Sequence, residues 1–293
     1  MIVAVTGATG FLGRYIVNKL LEEGHRCRCW YRPQSDRGGF LDGPIEWTEG
    51  ELDDEQSAKS LVRGADAVVH AALDWGGSKG KAVETFARRN VMGTIRLFEA
   101  ARASNAGRFI FISTCSVHDI VLDDRPLDEA HPLWPKSHYG AHKAAIEKFV
   151  HSFGLGVGYN VCSLRPTGIY GLACPIEKSK WYSLVRAVAA GEDVHSAAGG
   201  KEVHAADVAK AVKVLLEADG TAGQAYNCYD MYIADQDVAQ IAKDITGSRS
   251  AIEIQNKGPK NQIATEKLRA LGMKFGGNAL LKATIQQMVD HQE

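Results

Sequence analysis

The first thirteen residues constrain the fold more than any other part of the chain. A short apolar run, Ile2 to Val5, leads into the pattern T-G-x-x-G-x-x-G, and helical spacing of apolar residues begins at Phe11. A strand, a tight turn and a helix N-terminus in this order present free backbone N–H groups to an anion. We predict that Gly7 permits the sharp exit from the strand, Gly10 lets a phosphate approach the backbone, and Gly13 lets the helix pack closely on the sheet. The pattern is therefore typical of a turn that holds a pyrophosphate.

Strand and helix patterns alternate through the first half of the chain. Strands are predicted at 27–31, 65–71, 108–113 and 160–164, and helices at 86–103 and 139–153. Such βαβ order predicts a parallel sheet with helices on both faces. Beyond Pro166 the pattern loosens into loops and shorter helices. We predict an α/β fold: a doubly wound parallel-sheet Rossmann domain of residues 1–166 plus about 203–229, and a smaller C-terminal substrate-binding lobe of about 167–202 and 230–293.

Composition excludes several classes of partner. The 293 residues are 45% hydrophobic and 24% charged, with a formal net charge of −1. Charges of both signs are mixed along the chain, so we expect neither nucleic acid nor an anionic membrane as a partner. No apolar run approaches the roughly 18 residues of a membrane span and no leader pattern precedes the first strand, which predicts a cytoplasmic protein. The six cysteines form no C-x-x-C pair and no cluster with histidine, so we predict reduced thiols and no metal site.

A phenol and an ammonium group lie four residues apart in Tyr139-Gly140-Ala141-His142-Lys143. Residues at this spacing share one face of a helix. We predict that Lys143 lowers the pKa of the Tyr139 phenol and makes it a proton donor or acceptor near neutral pH. Tyrosine and lysine occur at this spacing by chance on many solvated helices. The pair therefore indicates a catalytic site only in combination with the glycine-rich turn.

The glycine-rich turn and Y-x-x-x-K, in this order, resemble the extended short-chain dehydrogenase/reductases, also called the NAD-dependent epimerase/dehydratase family. The resemblance covers nearly the whole chain. Further segments similar to those of the family are V-H-A-A at 69–72, N-V-M-G-T at 90–94, F-I-S-T-C-S-V at 111–117, L-R-P-T-G-I-Y-G at 164–171 and V-H-A-A-D-V-A at 203–209.

The resemblance implies hydride transfer at an alcohol or ketone carbon, with the redox step supplied by a nicotinamide cofactor. It implies that Tyr139 exchanges a proton with the substrate oxygen, while Thr114, or its neighbour Ser113, hydrogen-bonds that oxygen. Lys143 would also hold the nicotinamide ribose. Asn90 joins the catalytic set as a relay residue, although it fits equally well as a helix residue that satisfies backbone groups. The implied cofactor-binding residues are Gly7, Thr9, Gly10, Phe11, Leu12, Gly13, Arg32, Glu51, Leu52, Ala71, Ala72, Tyr139, Lys143 and Pro166.

The end of the second strand bears on the choice of cofactor. A carboxylate there pairs with the ribose hydroxyls of NAD, whereas an arginine suits the extra phosphate of NADP. The acidic position of NAD-using relatives is held here by Tyr31, and Arg32 follows. We therefore predict NADP as the preferred cofactor, with NAD as the alternative. Glu51 replaces the aspartate usual at the adenine-contacting position of the family.

The substrate region differs from that of the sugar-nucleotide members. Gly168 stands where those members carry an asparagine, and Gly199-Gly200-Lys201 stands where they carry an arginine, so two groups that bind a diphosphate are missing. The residues directly after Thr114 are Cys115 and Ser116, where the sugar 4,6-dehydratases of the family carry acidic residues, so dehydration is disfavoured. The segment R-P-T-G-I-Y-G resembles the hydroxysteroid dehydrogenase and dihydroflavonol reductase branches instead.

Three functions remain open at this point. The first is an NAD(P)-dependent oxidoreductase acting on an alcohol or ketone, with a small-molecule substrate. The second is a sugar-nucleotide epimerase that retains tightly bound NAD, and the third is a non-catalytic NADP-sensing regulator. A homodimer is expected from the resemblance alone. The candidate aromatic pocket walls are Trp75, Trp134, Trp181 and Tyr182, while His118 and His138 are left outside the catalytic set.

Overall fold

The structure is a computed structural model that describes residues 1–74, 82–254, 258 and 261–291. The chain divides into two compact units. The first unit comprises Met1–Pro166, Val208–Cys228 and Ile263–Met273, and the second comprises Thr167–Asp207, Tyr229–Gln262 and Lys274–Glu293.

The strands within the described residues alternate with helices along most of the chain. The strands are β1 Ile2–Thr6, β2 Arg26–Tyr31, β3 Ile45–Glu49, β4 Ala67–His70, β5 Arg108–Ile112, β6 Val161–Pro166, β7 Gly168–Tyr170, β8 Gly199–His204, β9 Ala225–Cys228 and β10 Met231–Ala234. The α-helices are α1 Phe11–Glu22, α2 Glu55–Val62, α3 Val83–Ala87, α4 Gly93–Ala103, α5 His138–His151, α6 Tyr182–Ala189, α7 Ala205–Glu217, α8 Asp235–Thr246, α9 Glu266–Ala270 and α10 Gly277–Asp290.

The first unit is built on a seven-stranded sheet in the order β3-β2-β1-β4-β5-β6-β9. Every neighbouring pair is parallel, as the βαβ order requires. From β1 the chain first adds strands on one side, β2 and β3, and then on the other, starting with β4. The point between β1 and β4 is therefore the switch point of a doubly wound sheet. Val3, Val5 and Val69 are fully buried because helices cover both faces. The predicted Rossmann architecture is confirmed.

The second unit contains a three-stranded sheet in the order β10-β8-β7. β10 runs antiparallel to β8, and β7 runs parallel to it. Its core is formed by apolar side chains of α6, α8 and α10, among them Val185, Val238 and Ile285. The sequence pattern predicted loops here, because these strands are short and β8 begins with two glycines, which weaken a strand pattern.

The helix predicted at 86–103 is interrupted in the structure. α3 leads into a π-helical segment at Arg88–Met92, and α4 begins only at Gly93. A Cβ atom on Gly93 would lie 2.1 Å from the backbone oxygen of Leu52. The helix therefore presses directly against the loop after β3, and the π-helical segment carries Asn90 toward the sheet edge. Such insertions in a helix are frequent at functional sites.

Within the described residues, no helix is long and apolar enough to span a lipid bilayer.

Candidate active site

The residues predicted to bind cofactor or substrate follow different strands of the seven-stranded sheet. Because the strands are parallel, their carboxyl ends lie at one edge, where doubly wound folds bind ligands. The structure places the following residues at or just beyond these ends: Gly7 after β1, Arg32 after β2, Glu51 and Leu52 after β3, Ala71 and Ala72 after β4, Thr114 after β5, and Pro166 at the end of β6.

The turn between β1 and α1 is built to accept an anion. Gly10 is the N-cap of α1, no side chain caps the helix, and its first turn carries no acidic residue. The free N–H groups of the turn are therefore available to a negatively charged ligand. Thr9, Phe11 and Leu12 belong to this turn, as predicted. The site fits a dinucleotide pyrophosphate.

The three glycines of the turn have different structural roles. Gly7 has φ +72°, and a Cβ atom there would lie 2.7 Å from the backbone nitrogen of Ala72. A Cβ atom on Gly13 would lie 2.0 Å from the carbonyl oxygen of Gly7. At Gly10 the nearest atom to such a Cβ is that same oxygen, at 3.2 Å, and Gly10 is exposed. Gly7 and Gly13 thus serve packing, while Gly10 leaves space on the outer side of the turn.

The end of β2 presents arginines rather than a carboxylate. Arg32 is exposed and lies in a turn in which the Ser35 backbone nitrogen donates to the Arg32 carbonyl at 2.7 Å. The guanidinium of Arg37 lies 4.7 Å from the ring centre of Tyr31. The nearby Asp36 carboxylate is paired with Arg14 at 2.9 Å. Sequence reasoning missed Arg37, although it lies five residues after Arg32 in the same loop.

Glu51 and Asn90 both help to hold the loops of this edge. The Glu51 carboxylate pairs with Arg89 at 2.6 Å, and Arg89 also pairs with Asp74 at 2.7 Å. The Asn90 amide accepts from the Asp74 backbone nitrogen at 2.8 Å and donates to the Asp74 carbonyl at 3.1 Å. The Asn90 side chain thereby fastens the segment after β4 to the π-helical segment, which matches the backbone-satisfying alternative.

Thr114, Tyr139 and Lys143 meet at the end of β5. Thr114 Oγ1 accepts from the Ser116 backbone nitrogen at 3.1 Å and caps the short 3₁₀ turn Cys115–His118. Tyr139, in the first turn of α5, is hydrogen-bonded to the Thr114 side chain. One helical turn later, Lys143 Nζ donates to the Ile112 carbonyl at 2.7 Å. The sequence prediction that these three side chains share one location thus agrees with the structure.

The predicted effect of Lys143 on Tyr139 is not what the structure shows. Burial raises the pKa of the Tyr139 phenol above its ordinary value, and the Thr114 hydrogen bond opposes this only in part. Burial also lowers the pKa of Lys143 to about 7, against the attraction of Glu147. Because the lysine is only partly charged near neutral pH and its Nζ is held by Ile112, desolvation outweighs the expected charge effect. The phenol is therefore a proton donor at neutral pH.

A neutral hydrogen-bond chain crosses the sheet behind this corner, and we call it the histidine chain. Thr6 Oγ1 accepts from the Ala72 backbone nitrogen at 3.2 Å and contacts His70 Nδ1 at 2.6 Å. His70 Nε2 contacts Thr94 Oγ1 at 2.9 Å, and Thr94 donates to the Asn90 carbonyl at 2.6 Å. These contacts assign the proton of His70 to Nε2. Burial lowers the pKa of His70 to about 3, so the imidazole is neutral.

A charged cluster lies on the other side of Lys143, and we call it the glutamate cluster. Arg165 donates to both Glu147 oxygens at 3.0 Å through Nε, and its Nη2 is 2.5 Å from Oε2. Ser113 Oγ donates to Glu147 Oε1 at 2.5 Å. Arg165 Nη1 also lies 3.2 Å from His118 Nε2, and burial lowers the pKa of that histidine to about 4. Sequence reasoning did not identify Glu147 or Arg165 as functional residues.

The predicted aromatic pocket walls have varied surroundings. In the second unit, the Trp181 indole nitrogen donates to Asp235 Oδ1 at 3.0 Å, and Tyr182 is buried. Trp134 is 46% exposed. Trp75 lies outside the described residues. These observations leave substrate contact by the aromatic residues a prediction.

The region of Gly168 carries a carboxylate. Glu202 on β8 is buried and pairs with Lys180, and its carboxyl oxygen would lie 2.6 Å from a Cβ atom on Gly168. A side chain at position 168 would therefore meet an acidic group. Among the described residues, no group of three histidine, cysteine, aspartate or glutamate side chains could hold a metal ion.

Comparison with known proteins gives both reductases and epimerases. The chain is 33% identical over 170 residues to the ceramide reductase of Caulobacter vibrioides, which is 58% of this chain and 47% of that protein. It is 31% identical over 181 residues to the 3-beta-hydroxysteroid dehydrogenase of Mycolicibacterium neoaurum, covering 58% and 48% of the two chains. The chain spans about half the length of the first curated relatives it matches.

Similarity to solved structures extends over the whole chain. The UDP-glucose 4-epimerase of Thermus thermophilus, solved in complex with NAD, superimposes with a TM-score of 0.76 at 21% identity, and all of both chains is covered. At this identity the likeness shows the fold alone. The family model described as "NAD dependent epimerase/dehydratase family" matches residues 3–228. Since that match takes in the glycine-rich turn, the Tyr139 corner and most of the chain, the protein belongs to the NAD-dependent epimerase/dehydratase family.

Proposed function

We propose that this protein is an NAD(P)-dependent oxidoreductase that interconverts an alcohol and a ketone with an exchangeable cofactor. One observation carries the proposal: the uncapped turn of α1 and the Thr114–Tyr139–Lys143 corner lie at the same edge of one sheet. A phosphate turn alone would serve a binding protein. A buried phenol held by a hydroxyl side chain is what proton transfer requires in addition.

The nicotinamide, when bound, supplies the hydride chemistry at the substrate carbon. Tyr139 acts as the acid in the reducing direction, because burial keeps its phenol protonated at neutral pH. Thr114 orients the phenol and hydrogen-bonds the substrate oxygen. Lys143 binds the nicotinamide ribose. Burial lowers the pKa of its amine to about 7, so it can take up or release a proton near neutral pH as well as bind.

NADP is the proposed cofactor, and the end of β2 supports it. Tyr31 stands where a ribose-binding carboxylate would be needed, and Arg32 and Arg37 supply two exposed guanidinium groups in the following loop. The neighbouring Asp36 is neutralised by Arg14. A guanidinium pairs well with a phosphate dianion, which favours the 2′-phosphate of NADP.

Glu202 supports a substrate without a diphosphate. The Glu202 carboxyl group beside Gly168 is paired with Lys180, so this cation is already engaged and the carboxyl group offers a diphosphate no amide donor. The Caulobacter and Mycolicibacterium relatives carry the names of enzymes for ceramide and steroid substrates, which likewise lack a diphosphate. We therefore favour an apolar or mixed alcohol or ketone substrate over a sugar nucleotide.

A cytoplasmic homodimer is the proposed form of the protein. Cys27, Cys29, Cys162 and Cys228 are buried and unbridged, as in a reducing compartment. Met92 and Phe149 are large apolar side chains exposed on the helical segments next to the catalytic corner, and a second subunit would cover them. Light scattering of the purified chain measures the mass and tests the dimer.

The test of the proposed function is NADPH consumption with a panel of 3-keto lipids, steroidal ketones and aryl ketones. At least one ketone should be reduced by the wild-type protein. Tyr139→Phe should reduce turnover at least about a hundredfold, as for the loss of a general acid, and should change NADPH affinity much less than turnover. Conversion of a UDP-sugar without added nicotinamide, with NAD released on denaturation, would instead establish the epimerase. Unchanged biological activity in Tyr139→Phe, with activity lost when Gly10 is replaced by valine, would establish the sensor.

A further inference from the structure

The charge of Lys143 depends on a group that the family resemblance did not lead us to place in the site. Glu147 follows Lys143 by one helical turn on α5, so the two side chains lie on the same helix face. Both are almost completely buried, at 1% and 4% exposure. In such surroundings an ammonium group loses its proton readily unless a negative charge lies close to it.

The Glu147 carboxylate is held by two residues from neighbouring parts of the sheet. Arg165 on β6 binds it in a bidentate manner, and Ser113 at the end of β5 donates to Oε1. Arg165 is fixed in turn by the Glu129 carbonyl at 3.1 Å and by His118. The carboxylate is therefore fixed against Ser113 and β6, and its residue lies one helical turn after Lys143.

We propose that Glu147 is a positioning residue for Lys143, and that its fixed negative charge keeps a fraction of Lys143 in the ammonium form at neutral pH. Ser113 and Arg165 hold the carboxylate in place. A buried ion pair such as Glu147–Arg165 is weak evidence for stability, since an apolar pair of the same size would cost less to bury. Its position one helical turn from the buried Lys143 side chain is what assigns the carboxylate an electrostatic role.

The other charged or titratable groups around Lys143 do not supply this charge. His70 on β4 and His118 beyond β5 are neutral, because burial lowers the pKa of each well below 7. Tyr139 is protonated at neutral pH. In the π-helical segment, Arg89 is paired with Glu51 and Asp74. Burial also lowers the pKa of His142 on α5, and an imidazole supplies no negative charge in either form. Arg165 is a cation and favours the neutral amine of Lys143, so it cannot take the place of the Glu147 carboxylate. Glu99 on α4 is exposed to solvent.

The test measures the ionisation of Lys143 directly in the full-length protein. Lysine labelled with ¹³C at the ε carbon reports the charge of each side chain by NMR across a pH series, and the Lys143 signal is the one lost in Lys143→Arg. In the wild type this signal should titrate near pH 7. Glu147→Gln keeps an acceptor for Ser113 but removes the charge, and should lower the titration midpoint by about one pH unit or more.

Two further variants keep the test decisive. Should Glu147→Gln not fold, the double change Glu147→Met with Arg165→Met removes the whole ion pair and replaces it with apolar groups of similar size. Because it also removes the positive charge of Arg165, which opposes the ammonium form, it should lower the midpoint by less than the loss of the Glu147 charge alone. Ser113→Ala keeps every charge and should move the midpoint by less than about 0.3 units, roughly a twofold change in the proton equilibrium. An unchanged Lys143 midpoint in the folded charge-removing variant would overturn the proposal.

This inference rests on the proposed function only for the task of Lys143. The titration uses neither cofactor nor substrate, so its result stands apart from the ketone panel. If the midpoint shifts as expected while no ketone is reduced, the role of Glu147 is retained and the proposed function fails. If a ketone is reduced while the midpoint stays constant, the role of Glu147 fails and the proposed function is retained.

Discussion

The β1–α1 turn and the β5–α5 corner lie at one edge of the same sheet, yet they are constructed in opposite ways. The turn is formed by removing side chains: Gly7 and Gly13 bring backbone segments within distances that no Cβ atom would permit. The corner is formed by adding buried polar groups, with the histidine chain on one side of Lys143 and the glutamate cluster on the other. A site for an anion needs space and N–H groups, whereas a site for proton transfer needs controlled charge.

The largest expected effect is in the glutamate cluster. Arg165→Met leaves the Glu147 carboxylate buried with no cation bound to it, and should lower the free energy of unfolding by about 3–5 kcal/mol. Urea denaturation followed by circular dichroism measures the change. Adding Glu147→Met in the same protein should restore most of the loss, because no charge then remains unpaired. Equal destabilisation of the single and the double variant would show that packing, not charge, controls this position.

The turn should respond to added volume rather than to charge. Gly13→Ala places a Cβ atom 2.0 Å from the Gly7 carbonyl oxygen, so α1 must move away from the sheet. We expect a loss of up to about 3 kcal/mol in unfolding free energy. Gly10→Ala is the matched control: its Cβ atom meets the same oxygen at 3.2 Å, and the loss should stay below about 1 kcal/mol. Weaker dinucleotide binding with a nearly unchanged fold is expected for Gly10→Ala alone.

The histidine chain should be less sensitive than the glutamate cluster because it carries no charge. Thr94→Val removes the acceptor of the His70 Nε2 proton and the donor to the Asn90 carbonyl, at a cost of about 1–3 kcal/mol. Thr94→Ser keeps the hydroxyl and should retain most of the stability, which denaturant midpoints will show. A larger loss in Thr94→Ser than in Thr94→Val would mean that the methyl group matters more than the hydrogen bonds.

The smallest expected effect is the contribution of His70, in the histidine chain, to the pH dependence of stability. His70 is neutral in the folded protein down to about pH 3, whereas an unfolded histidine binds a proton below about pH 6.5. Between these values the unfolded state holds one proton more, so this histidine makes stability rise with pH and fall as the solution is acidified. His70→Gln should reduce the slope near pH 5 by up to about 1.4 kcal/mol per pH unit. An identical slope in wild type and variant would contradict a neutral buried His70.

The turn and the Thr114–Tyr139–Lys143 set could be predicted from the sequence, whereas the glutamate cluster could not. Gly7, Gly10 and Gly13 are close in sequence, and each acts through the absence of its own side chain. Tyr139 and Lys143 are likewise paired by helical spacing. Glu147, Arg165 and Ser113 come from α5, β6 and the end of β5, so their contact depends on the strand order of the finished sheet.

Burial also reversed one expectation that sequence spacing supported. On a solvated helix an ammonium group lowers the pKa of a phenol one turn away, but at 4% exposure the ammonium form of Lys143 is itself destabilised by desolvation. The three strands of the second unit were missed because β7 and β10 have only three and four residues and β8 begins with two glycines, so none of them carries a regular pattern. In both cases the structural surroundings of the residues, which the sequence pattern does not give, decided the outcome.

Cofactor binding by the emptied protein tests the central claim most directly. After denaturation and refolding to remove any nucleotide, NADPH and NADH are titrated by quenching of tryptophan fluorescence, in the wild type and in Arg32→Glu. We predict that wild type binds NADPH at least about tenfold more tightly, a difference of about 1.4 kcal/mol, and that Arg32→Glu loses this preference. Equal or tighter binding of NADH by the wild type, or NAD recovered in stoichiometric amount from the purified protein, would contradict an exchangeable NADP-dependent oxidoreductase.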